Sequence, residues 1–137
     1  MTDRPNRAQV GKIGEDTACK YLKKHGFTVV ERNYWQKWGE IDVVAEKDTA
    51  SSFGLRSAST LHFIEVKTVV GIRSDDDYQA EENVHPWKLK RLSRAIQTYL
   101  LQRNVPDDKE WQVDVLTVEL DFETRRARVK LLPDIGL

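Results

Sequence analysis

The chain has 137 residues, 22 basic and 22 acidic side chains, zero formal net charge and 39% hydrophobic residues. That suits one globular domain over residues 1–137, with residues 1–7 expected as a flexible tail and no need of a disulfide or structural metal to fold. No apolar run approaches the ~20 residues of a membrane span, and the first nine residues lack the apolar stretch of a secretory signal. The lone cysteine, Cys19, excludes an internal disulfide and a cysteine-based zinc site and fits a reducing cytoplasm.

Residues 8–25 have helical periodicity: with Glu15 at zero on the wheel, Ala18, Leu22, Cys19 and Tyr21 share an arc, and Lys12, Asp16, Lys20 and Lys23 lie opposite. Cys19 on that arc reads as core, and Gly26 stops the helix. Residues 27–34 are β-branched and aromatic and predict a strand. Gly39 marks a tight turn, and residues 40–46 predict a second strand. Residues 48–59, rich in Ser, Ala and Thr, predict a surface loop, and residues 61–70 a third strand. Residues 71–85 are polar, with an acidic run at Asp75, Asp76, Asp77, Glu81 and Glu82. Pro86 suits a first helical turn, and Leu89, Leu92, Ile96, Tyr99 and Leu100 form the buried stripe of a second helix. Residues 111–120 and 127–132 predict two closing strands. The order α-β-β-β-α-β-β predicts an α/β fold with a mixed sheet flanked by helices.

Three positions place charge where the pattern calls for apolar residues. In Phe63-Ile64-Glu65-Val66-Lys67, side chains alternate, so Glu65 and Lys67 share a strand face with Leu61 and Phe63. A buried charge needs a partner, a metal or a chemical role; a plain Glu65–Lys67 salt bridge on a half-exposed strand is the simpler alternative. In Gly39-Glu40-Ile41-Asp42-Val43-Val44-Ala45, alternation puts Ile41, Val43 and Ala45 on one face and Glu40, Asp42 and Val44 on the other. Aspartate is disfavoured in strands, and if residues 40–46 pair with residues 61–70, Asp42 and Glu65 converge. Glu15 lies in or beside the apolar arc of the first helix, either as part of a site or as an edge residue reaching water. Carboxylates from a helix and two strands, with a lysine, suit a phosphodiester site: hard Mg2+ or Mn2+ ions prefer such oxygens and keep waters for phosphate, and the lysine can orient water and stabilise developing charge.

These residues fall in a familiar order: Gly14-Glu15 with Ala18 and Tyr21-Leu22, Gly26-Phe27, Arg32-Asn33-Tyr34, residues 39–45 and 63–68, Lys88 with Leu92, and Asp114-Val115. The chain resembles the YraN-like family of small bacterial proteins, described as predicted endonucleases, over residues 8–132. That family is similar to archaeal Holliday junction resolvases and to the wider PD-(D/E)XK nucleases. The resemblance implies a restriction-endonuclease-like core and a Mg2+-type cofactor. It matches Asp42 to the motif aspartate, Glu65 and Lys67 to its (D/E)XK part, Glu15 to a helix glutamate, and Lys88 to a lysine opening the second helix. The expected metal ligands are Asp42, Glu65 and Glu15. The chain departs from the family pattern in a longer loop at residues 48–59 and in lacking an arginine two positions after Lys67, where Val69 stands.

Lys88, Lys90, Arg91 and Arg94 come with no acid between Pro86 and Arg103, so a neutral total can hide a basic face. Lys88, Arg91 and Arg94 are expected to contact nucleic-acid phosphates, with solvation of a charged helix face as the alternative. Trp35 and Trp38 suit either base stacking or packing. His62, an odd number of positions from Glu65, faces away from it; His85 is expected to be exposed. The leading expectation is a metal-dependent endonuclease acting on DNA, in preference to RNA, with branched or flapped substrates in view. A catalytically silent nucleic-acid-binding module or a protein-interaction module on the same fold is the alternative. Cleavage of a symmetric junction would require a homodimer.

Overall fold

Local signals set the element boundaries in the computed structural model, which describes residues 5–49, 58–71 and 86–136. Asn6 caps helix α1 (Arg7–Lys24): its side chain accepts from Gln9 N at 2.9 Å, and the Gln9 side chain accepts from Asn6 N at 2.8 Å. The helix therefore starts ahead of residue 8, and residues 6 and 7 belong to it and its cap. Gly26 follows the helix at φ +86°, where a side chain would be strained. Strands β1 (Phe27–Gln36) and β2 (Gly39–Thr49) form a hairpin with Lys37 and Trp38 at its turn. β3 (Ala58–Val70), α2 (Pro86–Gln102), β4 (Trp111–Asp121) and β5 (Arg126–Leu132) complete the chain. Strands β2 and β3 reach further than the sequence predicts, taking in Asp48, Thr49, Ala58 and Ser59. The rest of the expected loop, the acidic run and His85 lie outside the described residues.

The five strands lie side by side in the order β1-β2-β3-β4-β5. Only β3 and β4 run parallel, joined by the crossover that contains α2; the other pairs are antiparallel. The fold is thus the expected α-β-β-β-α-β-β mixed sheet with a helix on each face. Ala18, Cys19 and Leu22 of α1 pack on Val43, Ala45, Ile64, Leu116 and Val118. Leu92, Ala95, Ile96 and Tyr99 of α2 pack on Ile41, Val44, Leu61, Phe63 and Val113. Cys19 is buried core, as its place on the wheel predicts.

One expectation about β2 is corrected. Val43 and Ala45 face α1, but Ile41 joins Val44 on the α2 face. The cause lies across the hairpin. Asn33 has φ +53°, a left-handed conformation that breaks strand alternation. Arg32 pairs with Val43 and Tyr34 with Ile41, so Asn33 and Asp42 stand opposite each other at the break. On the Gly39 side of Val43, β2 no longer pairs with β3.

A carboxylate pair at the point where two strands part

The parting of β2 from β3 leaves a backbone donor without its ladder partner, and Asp42 supplies one. Its Oδ2 accepts from Val66 N at 2.8 Å. That hydrogen bond brings the Asp42 carboxyl beside Glu65, which is 3% exposed on the α2 side of β3. Burial, then the Glu65 charge, pushes the Asp42 carboxyl up to about 8, against the pull of the Val66 amide. Two neighbouring carboxylates in a site of low dielectric do not both ionise readily. Lys88, in the first turn of α2, reaches down to pair with Glu65 Oε1, and its ammonium is held above the ordinary lysine range even though burial opposes it.

Lys67 lies two residues beyond Glu65 on the same strand face and is half-buried. Among the described residues it makes no hydrogen bond or ion pair. Beside it in the parallel register is Thr117 of β4, whose buried Oγ1 also has no hydrogen-bond partner among the described residues. The site opens into a cleft of about 200 Å³ lined by Trp35, Gly39, Glu40, Glu65, Lys88, Arg91 and Leu92. The hairpin turn passes so close under α2 that a Cβ on Gly39 would lie 2.5 Å from the Arg91 carbonyl oxygen. Arg91 Nε donates to Trp38 O at 3.1 Å, and the Arg94 guanidinium lies 5.8 Å from the Trp38 ring centre.

Asp42 and Glu65 are therefore brought together, and Lys67 shares the strand face of Glu65 two residues on. Glu15 is placed differently: its Oε1 accepts from Arg32 Nε at 3.1 Å and from Asn33 Nδ2 at 2.8 Å. It approaches the pair from the α1 side through Asn33, the residue opposite Asp42. Among the described residues, no three His, Cys, Asp or Glu side chains gather as a metal-binding group. Of the expected phosphate contacts, Lys88 is engaged by Glu65, whereas Arg91 and Arg94 are exposed on α2. Glu40 and the Lys88–Glu65 pair were not anticipated. A signal for the first was its place beside Gly39 at the head of β2; nothing local reveals the second.

Residues 14–118 match the family described as "Uncharacterised protein family UPF0102". The chain belongs to the UPF0102 family. It is 37% identical over 111 residues to the UPF0102 protein of Campylobacter jejuni (strain NCTC 11168), an alignment covering 81% of this chain and 84% of the relative. It is 34% identical over 126 residues to that of Campylobacter lari, covering 92% of each. With the UPF0102 protein of Helicobacter hepaticus it shares 35% identity over 100 residues, covering 73% of this chain and 76% of the relative. The UPF0102 match runs from Gly14 in α1 to Val118 in β4 and so contains Glu15, Asp42, Glu65, Lys67 and Lys88. His62 and Asp114, both inside it, form a buried pair on the α1 face, with Nδ1 and Oδ2 at 2.6 Å. His62 thus faces away from Glu65, as strand alternation predicts.

Proposed function

We propose that this UPF0102 protein is a metal-dependent nuclease of the PD-(D/E)XK kind, hydrolysing phosphodiester bonds in nucleic acid, DNA in preference to RNA. The observation that carries the reading is the meeting of Asp42 with Glu65, which lines a cleft, with the Asp42 carboxyl raised to about 8. Two adjacent carboxyl groups, both offering oxygen donors, suit a hard divalent cation. Mg2+ or Mn2+ bound there would polarise a phosphoryl oxygen and acidify a water.

The chain's own groups supply the rest. Asp42 and Glu65 would hold the ion. Lys67, half-buried on the strand face of Glu65 and without a partner among the described residues, donates to the phosphoryl oxygens and stabilises the charge that grows on them. Lys88 pairs with Glu65 in the protein alone and, were a cation to take its place there, could meet a phosphate. Glu15 supports the site from α1 by fixing Asn33, across the hairpin from Asp42. Arg91 and Arg94 contact the nucleic-acid backbone.

The test is incubation of labelled duplex, flap and four-way-junction DNA with Mg2+ or Mn2+ and the wild type, Asp42→Ala or Lys67→Ala. Cleavage by the wild type, with a loss of about 100-fold or more in each variant, is expected. Equal residual cleavage in all three would trace the activity to a contaminant and sink the reading. A second reading, a catalytically silent nucleic-acid-binding module, is favoured by one feature: Lys88 already neutralises Glu65. It predicts salt-dependent binding with no cleavage in either metal.

A further inference from the structure

Trp35 stands on edge strand β1 at the rim of the cleft, 69% exposed. Among the described residues its ring makes no aromatic or cation–π contact, whereas Trp38, three positions on, lies under Arg94. A large indole left in water beside a polar cleft is an unused stacking surface. A second observation comes from α2. Lys88, Lys90, Arg91 and Arg94 occupy its N-terminal half, its first turn holds no acid, and its last turn holds no base. That distribution opposes the helix dipole. It becomes favourable when a polyanion lies across that end of the helix.

Resting on the nuclease reading above, we propose that the cleft selects an unpaired nucleotide: a base stacks on the Trp35 indole while the strand's phosphates follow Arg91 and Arg94 towards Glu65. A base inside a duplex has no free π-face to offer, so the substrate class is single-stranded nucleic acid or the unpaired arm of a branched one. The cleft's volume of about 200 Å³ is on the scale of a single base or sugar-phosphate.

The test is fluorescence anisotropy of a labelled oligo-dT of about 12 nucleotides, against a blunt duplex of the same length, in EDTA and again in Ca2+. The wild type is expected to bind the unpaired strand about 10-fold more tightly than the duplex. Trp35→Ala should lose about 5- to 10-fold on the unpaired strand and nothing on the duplex, and Trp35→Phe should restore most of it. Circular dichroism confirms that each variant is folded. Equal affinity for both probes, binding of neither, or an unchanged Trp35→Ala overturns the proposal. A Trp35-dependent preference without cleavage in Mg2+ or Mn2+ upholds the platform and removes the nuclease; cleavage with no such preference does the reverse.

Discussion

Asp42 accepts one backbone N–H and stands against one carboxylate, and these pull its proton in opposite directions; burial joins the carboxylate and wins. In the cation-free protein the folded state keeps the Asp42 proton up to about pH 8, while the unfolded chain releases it near 3.8. The folded state therefore binds more protons across that window, and stability falls as pH rises through it. Asp42→Asn keeps an acceptor for Val66 and removes the charge. In EDTA at about pH 8 it is expected to be more stable than wild type by roughly 2–4 kcal/mol, with the advantage fading towards about pH 4. Thermal melts across that range check this. Adding Mn2+ at the upper end should raise the wild-type Tm and leave Asp42→Asn unmoved, because the pair that would hold the ion is gone. A Tm rise of equal size in both proteins would place the ion elsewhere.

Helix α1 bears on the site through one close approach. A Cβ on Gly14 would fall 1.9 Å from Thr68 Oγ1, so Gly14 lets α1 lie directly on β3, one residue past Lys67. Gly14→Ala forces helix and strand apart and is expected to cost about 2–3 kcal/mol. Gly11, three residues earlier, has nothing within 4 Å of a built Cβ. Gly11→Ala should instead add about 0.5–1 kcal/mol by helix propensity. Urea unfolding of the two variants measures opposite signs; a matching loss in both would mean that the helix backbone, not the contact with Thr68, is at stake. The β1–β2 hairpin explains the other feature of this scale. Strict alternation predicts Ile41 and Val43 on one face, but the left-handed Asn33 reverses the faces between them, and the reversal frees Asp42 to reach β3. An asparagine in a strand is a weak signal of such a break, because asparagine tolerates that conformation better than other side-chain-bearing residues.

Across the whole molecule, zero net charge coexists with a basic half of α2. The two closing strands are tied to the rest by a buried polar knot. Asp114, fully buried on β4, accepts from Gln112 Nε2 and from Asp134 N, both at 2.9 Å, and pairs with His62 of β3. It thereby joins β3, β4 and the segment after β5. Although burial opposes it, the hydrogen bonds from His62, Gln112 and Asp134 hold its carboxyl below the ordinary value of 3.8. A depressed folded value means that this stabilisation is present above pH 3.8 and is lost as pH falls through the lower folded value. Asp114→Ala is expected to cost about 3 kcal/mol at neutral pH, since it leaves buried polar groups unpaired. The gap between wild type and Asp114→Asn should narrow in acid. A gap in urea unfolding that stays constant from neutral to acid pH would show that Asp114 acts through shape and not charge.

The sequence by itself determined the order of elements, the buried stripes of both helices, and the presence of charge on apolar patterns at Glu15, Asp42 and Glu65. These follow from periodicity and composition, which act over a few residues and are written locally. Alternation along one strand was enough to put Glu65 and Lys67 on the same face and His62 on the other. Tertiary structure alone decided which charges meet. Glu65 takes Lys88 from a helix more than twenty positions away, Glu15 is engaged by Arg32 and Asn33, and His62 finds Asp114 on a parallel strand. The physical reason is that a charge's partner is chosen by distance in space, and that distance is set by strand register, by the twist at Asn33 and by the close seat of α1 on Thr68, none of which a local pattern encodes.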